Sequence, residues 1–302
     1  MSADSNGSRD MAAVCASCGI AEVDEIKLKD CDGCDLFRYC SDECQIDHEL
    51  EHKEACKKRA AELRDELLFK KPESSHLGDC PLCCLPLPLD ISKCTMNNCC
   101  SKFICRGCAH ADMIREYEGR LIHSCEFCRK PTPETEEGSR KQRMKRVKAN
   151  DPVALCHEGM VQYNKGEYIK AFEYYEKAAS LGDIHAQYLL AGLYGDGEGV
   201  EKDREKFKWN LEEAAIGGHP HARYLIGLEE VKNGNIERAV KHWIIAATQG
   251  YDSAIKMLMT AFKEGDLSKE DLAATLRAHK AAVDATKSPQ RRAAEEFYKN
   301  KN

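Results

Sequence analysis

From residue 151 onward the apolar positions return on a long period. Ala178-Ala179-Ser180-Leu181-Gly182, Ala214-Ala215-Ile216-Gly217-Gly218 and Ala246-Ala247-Thr248-Gln249-Gly250 stand 36 and 32 residues apart, and Ala154, Ala186, Ala222 and Ala254 keep the same register. Each period is predicted to hold two helices, such as 186–194 and 201–216, separated by a glycine-marked turn. Such periods describe an α-solenoid, in which no unit buries its apolar face alone and stacking supplies the core. Tyr175, Leu211 and Trp243, three residues before each alanine pair, are expected to face that core. The small alanines let helices approach closely. Gly182, Gly218 and Gly250 suit the position just past a helix end, where φ is often positive. An extra turn at 194–200 accounts for the longer middle unit, and 267–285 is expected to cap the array.

Ahead of residue 151 this pattern is absent. Residues 57–69 read as a charged helix that ends at Lys71-Pro72-Glu73-Ser74-Ser75. Residues 134–150 turn from Glu134, Glu136 and Glu137 to Arg140, Lys141, Arg143, Lys145, Arg146 and Lys148, which suits a solvated helix. After Ser288-Pro289 the chain is polar, with only Phe297 and Tyr298 to dock a loosely held helix. No run approaches the ~18 to 20 apolar residues of a membrane span, and mean hydropathy is −0.57. The expected class is an intracellular protein of the cytoplasm or nucleus, with no membrane partner. Net charge −6 with 32 % charged residues weighs against a nucleic-acid partner, the basic run 140–148 being the local exception.

Cysteine changes the picture of the front half. Of 18 cysteines only Cys156 lies beyond Cys128. The first string runs Cys15-x2-Cys18, Cys31-x2-Cys34, Cys40-x3-Cys44 and His52-x3-Cys56. A C-x2-C pair can aim both sulfurs at one tetrahedral zinc, and the last two spacings put i and i+4 on one helical face. Eight such ligands predict two zinc ions, with His52 fitting the spacing better than His48. Because no apolar secretory stretch follows Met1, the thiols are expected to stay reduced rather than form disulfides. With Tyr39 before Cys40 and the wording YCSDECQIDHELEHKEAC, the string resembles a MYND-type zinc finger. The resemblance implies interleaved pairing: Cys15, Cys18, Cys40 and Cys44 on one zinc, Cys31, Cys34, His52 and Cys56 on the other. Such closed sets keep no place for a reactive water, so their zinc is structural.

A second string runs Cys80-x2-Cys83, Cys94, Cys99-Cys100, Cys105-x2-Cys108 and Cys125-x2-Cys128. Three knuckles again suggest two zinc ions, making four in the chain. CCSKFICRGC and CEFCRKP resemble the middle and end of a RING finger. The resemblance implies cross-braced pairing of Cys80, Cys83, Cys105 and Cys108 on one zinc and Cys100, Cys125 and Cys128 on the other. Where that family commonly has a histidine, two residues after Cys100, this chain has Lys102; Cys99 or Cys94 could complete the second set, with His110 and His123 as further candidates. Cys84 and Cys156 are expected to pack as small apolar residues. The same resemblance marks Leu82 as a contact for a ubiquitin-conjugating enzyme and Arg129 as a contact for ubiquitin.

The words AFEYYEKAASLG and YGDGEGVEKD resemble Sel-one-like repeats, relatives of the tetratricopeptide class, which implies a concave surface for a protein partner. No phosphate loop, nucleophile elbow or H-E-x-x-H pair is present, so no catalytic residue is expected. The expected fold is mainly α, two small zinc-stabilised modules followed by an α-solenoid of helix-turn-helix repeats. Its expected divisions are a disordered 1–13, a MYND-type finger at 14–57, a helical linker at 58–76, a RING-like finger at 77–133, a charged linker or helix at 134–150, repeats at 151–285 and a polar tail at 286–302. Function is expected to be adaptor-like protein binding, with proline-containing peptides at the first finger. The competing expectation is a ubiquitin ligase whose repeats and first finger select the substrate.

Overall fold

The computed structural model describes residues 14–300. The expectation for 1–13, and the last two residues of the tail, lie outside the described residues. The chain forms two compact units, Met1–Lys70 and Lys71–Asn302.

In the first unit, β1 (Lys29–Asp30) and β2 (Arg38–Tyr39) pair antiparallel, with Lys29 opposite Tyr39. The long helix α1 (Asp42–Phe69) follows, and the Ser41 side chain caps it by accepting from the Cys44 amide. Asp42 and Glu43 in its first turn suit the positive end of the helix dipole. The small core is Cys15, Leu28, Cys31, Cys34 and Tyr39 with Phe37 against them. Because α1 carries Cys44, His52 and Cys56 and runs on without a break, finger and linker share one helix across the expected division at 57/58. Arg59 ties it to the second knuckle through two hydrogen bonds to Asp35, of 2.6 and 2.8 Å.

The second unit begins with the second cysteine string. β3 (Cys94–Asn97) and β4 (Lys102–Cys105) form an antiparallel hairpin, Cys94 opposite Cys105, and α2 (Arg106–Glu118) follows directly. Next comes α3 (Glu136–Lys148), then four helix pairs: α4 (Pro152–Asn164) with α5 (Tyr168–Ser180), α6 (Ile184–Asp196) with α7 (Arg204–Ile216), α8 (Pro220–Lys232) with α9 (Ile236–Thr248), and α10 (Asp252–Glu264) with α11 (Lys269–Ala285). The chain closes on α12 (Pro289–Lys299).

The repeat register has a physical origin in the caps. Asp151, Asp183 and His219 accept from the amides of Ala154, Ala186 and Ala222, three residues on. Those alanines are at most 1 % exposed, because the next helix packs directly on them. Tyr175, Leu211 and Trp243 are buried as their period requires. Gly182, Gly218 and Gly250 take φ of 90°, 86° and 91°, a region that costs other residues about 1–2 kcal/mol. Gly218 is held to glycine a second time, since a Cβ there would stand 2.7 Å from the Ser74 carbonyl.

Two segments differ from expectation. α3 is not simply solvated: Val147 joins the core with Leu155 and Tyr175, and Arg143 is buried against Glu158. Nor is α12 loosely held, since Arg291 and Ala294 are buried. Among the described residues no helix is long and apolar enough to cross a membrane.

Candidate metal centres

Four sets of four side chains converge so that the ligand atoms of each lie within 4.8 Å of one another: Cys15, Cys18, Cys40, Cys44; Cys31, Cys34, His52, Cys56; Cys80, Cys83, Cys105, Cys108; and Cys99, Cys100, Cys125, Cys128. Tetrahedral zinc with Zn–S near 2.3 Å requires sulfurs about 3.8 Å apart. The sulfurs of Cys18 and Cys40 are 3.5 Å apart, Cys31 and Cys56 3.9 Å, Cys80 and Cys108 3.8 Å, and Cys100 and Cys125 3.6 Å. The donor sets therefore suit zinc in type, number and spacing.

Three of the knuckles share one backbone device: the residue just after the second cysteine turns back, so that the amides of Gly19, Cys84 and Arg129 donate to the carbonyls of Cys15, Cys80 and Cys125. The turn needs positive φ, which Cys84 and Arg129 adopt at 54° and 55°. Cys84 is thereby exposed on the turn, contrary to the packed role expected of it, whereas Cys156 is buried.

Amide donors also tune the sulfurs. Burial acts to raise the Cys15 thiol, but amides of Cys18, Cys40 and Ser17 outweigh it and bring the group down to about 6. Cys31 and Cys80 are likewise brought to about 7, against their burial, by knuckle amides and, for Cys31, by His52. Its hydrogen bonds with Cys18 and Cys44, in which the Cys40 thiol donates to Cys44, push Cys40 up to about 12. Four adjacent thiolates repel, so the full donor set ionises only with a cation, and loading releases protons.

His52 is oriented for this role. Its Nδ1–H donates to the His48 carbonyl at 3.1 Å, leaving the Nε2 lone pair toward Cys31 at 3.4 Å. The same carbonyl contact raises the pKa of His52 against the effect of burial. His48 instead stacks on His52 and meets the Tyr39 hydroxyl at 2.9 Å.

In the second string the fourth position falls to Cys99, whose sulfur is 3.3 Å from that of Cys128. Cys94 points elsewhere and donates to the Pro88 carbonyl, and burial pushes its thiol up to about 12. His110 packs on Phe297, and His123 pairs with the buried Glu116. Lys102 extends over the Phe127 ring, 4.5 Å from its centre. Leu82 and Arg129 are both exposed.

A fifth cluster, His76, His185 and His219, was not singled out by sequence. The available signal was His219 in the cap slot that Asp151 and Asp183 fill. Its geometry is that of a hydrogen bond, not a chelate. His185 Nδ1 and His219 Nε2 are 3.1 Å apart, with ring centres 5.4 Å apart and planes only 11° from parallel, so the nitrogens face each other edge to edge. Two imidazole nitrogens on one tetrahedral zinc stand about 3.3 Å apart, but with lone pairs that converge on the metal, whereas these two point at each other. Moreover, His219 Nδ1 accepts from Ala222, which leaves the proton on Nε2 to be donated to His185. His76 and Tyr188 stack on His219 with centroids at 4.1 and 4.4 Å.

Comparison with known proteins agrees with the two better-marked regions. Residues 15–56 match the MYND finger model, and residues 157–183, 184–219 and 216–251 match the Sel1 repeat model. Neither match extends over 77–133. No curated protein matches the chain. Among solved structures, a Sel1 repeat protein from Oxalobacter formigenes is 22 % identical with a TM-score of 0.44, over 58 % of this chain and 52 % of that one. The protective antigen c5321 of uropathogenic Escherichia coli, displaying an SLR fold, is 20 % identical with a TM-score of 0.39, over 55 % of this chain and 37 % of that one. The chain thus covers 52 % and 37 % of the lengths of these two structures. The chain therefore carries a MYND finger, which implies zinc binding, ahead of Sel1 repeats, both of them protein-interaction modules.

Proposed function

We propose that the chain is a zinc-stapled adaptor that holds protein partners together, binding four zinc ions through the sixteen side chains of the four converged sets. The observation that carries this reading is closure: each set supplies four protein ligands, leaving no place for a reactive water. The metals stabilise binding surfaces rather than perform chemistry. Proline-containing peptides are the proposed ligands of the first finger. A groove of about 500 Å³ beside its second knuckle is lined by Gln45, Ile46, Glu49 and Lys53, with Ile46 67 % exposed. The repeats would take a second protein, and residues 77–133 act as a RING-like interaction module.

Native mass spectrometry of the full chain tests the metal count. Four zinc ions are expected, and two would remove the second finger's metals from the reading. Binding to an array of proline-containing peptides should disappear on chelation; peptide binding that survives chelation argues against the first finger as the receptor. Exposed Leu82 favours one further reading, recruitment of a ubiquitin-conjugating enzyme. Ubiquitin chains that form with purified components and vanish in Leu82→Ala would make the chain a ligase.

A further inference from the structure

The C-terminal helix α12 lies on the second finger. Its Arg291 is only 7 % exposed, yet it pairs with no carboxylate among the described residues. One guanidinium nitrogen donates to the carbonyls of Pro86 and Thr286, both at 2.7 Å. The other donates to the Leu85 carbonyl at 3.2 Å and to the Cys83 sulfur at 3.4 Å. Buried charge is costly unless compensated, and the nearest anions available to Arg291 are thiolates. A zinc held by four thiolates is left with two negative charges in excess.

The rest of the helix is built to deliver that side chain. Ala294 is fully buried, Phe297 packs on His110 at 4.6 Å, and Tyr298 takes the Arg106 guanidinium over its ring at 4.9 Å. Glu295 meets Lys93 at 3.0 Å. On the finger's side, Gly107 lies between Cys105 and Cys108, where a Cβ would stand 2.8 Å from the backbone nitrogen of Arg291. Close approach of α12 therefore requires glycine there.

We propose that Arg291 is a positioning residue of the Cys80, Cys83, Cys105 and Cys108 site, holding the Cys83 sulfur and balancing the charge of a zinc tetrathiolate, so that α12 is part of the second finger. The proposal rests on the zinc reading of that set. Partners of this kind around a metal site change its affinity by roughly 10- to 100-fold when removed.

The test follows zinc release from the full-length chain under chelator challenge by native mass spectrometry, with hydrogen exchange over 289–299. Wild type should begin with four ions. Arg291→Met should release one ion about tenfold faster and leave the other three unchanged. Arg291→Lys should fall between, because it keeps the charge and loses the fork. In wild type, 289–299 should lose protection as that ion leaves, while 236–264 stay protected. Should Arg291→Met fail to fold, Gly107→Ala, which forces α12 away with its guanidinium intact, is expected to accelerate release of the same ion. Equal release rates in wild type, Arg291→Met and Gly107→Ala, or a helix that stays protected after the ion has gone, would overturn the proposal. A wild-type chain with only two ions would instead sink the zinc reading itself, before any variant is compared.

Discussion

Arg143 belongs to a basic run and is nonetheless buried. Its Nε donates to Glu158 at 2.9 Å, and Gln162 donates to the other oxygen of that carboxylate at 2.7 Å. Replacing Glu158 by Ala leaves the guanidinium without its counter-charge in a closed environment, and such losses cost about 3–5 kcal/mol. Thermal unfolding of Glu158→Ala should show that loss, and a change below about 1 kcal/mol would mean that water reaches Arg143. The backbone carries a similar lesson at Cys84 and Arg129. Each holds positive φ without being glycine, so Cys84→Gly should be neutral or stabilise the finger by up to about 1 kcal/mol. Chemical denaturation of the zinc-loaded protein measures it, and clear destabilisation would mean that the Cys84 side chain has a role of its own.

At the scale of elements, the histidine stack fixes the segment from Pro72 to His76 onto the turn before α8, where the His76 amide also donates to the Gly218 carbonyl. Burial, with the neighbouring His185, holds His76 at about 3, and burial with His221 holds His185 at about 4. His219 is depressed well below its ordinary range by burial, with His76, His185 and His221 adding to it, and His221 is depressed by burial alone. Tyr188 faces the same cluster. Unfolded histidines take up protons near 6.5. The folded chain therefore binds fewer protons from about 6.5 down to about 3, and the stability is fully present above that window and lost as pH falls through it. His76→Phe keeps a ring on His219 but cannot take a proton. Its melting temperature should fall less than that of wild type between pH 6.5 and pH 4, and parallel curves would exclude the stack as the origin.

The repeat helices were legible because stacking imposes a strict period on small and large apolar residues. Thiol spacing marks the individual knuckles, because it encodes a local turn, but it does not say which knuckles share a set, nor which residue joins Cys100, Cys125 and Cys128. Of α12, the helix and its docking residues Phe297 and Tyr298 were legible, whereas its firm seat was not, since that rests on buried Arg291 and Ala294 and on Gly107 of another element, none of which stands out in composition. α3 hid in the same way: Arg143 counts as a surface charge until Glu158, 15 residues later, is seen opposite it.

For the whole molecule, zinc divides the chain unevenly. The first finger's core consists of cysteines with Leu28, Tyr39 and Phe37, too little apolar surface to fold unaided. The repeats have continuous cores around Tyr175 and around Trp243. Chelation should therefore abolish hydrogen-exchange protection over 15–40 and leave it over 184–264. Loss across both regions would mean that the repeats depend on metal. Arg291 reaches back across 205 residues to Pro86. A ribosome adding roughly 5–20 residues each second needs about 10–40 s to cover that distance. The knuckle of Cys80 and Cys83 thus emerges long before its helical cover. Until Arg291 has been made, the sulfur of Cys83 stands without the guanidinium that covers it.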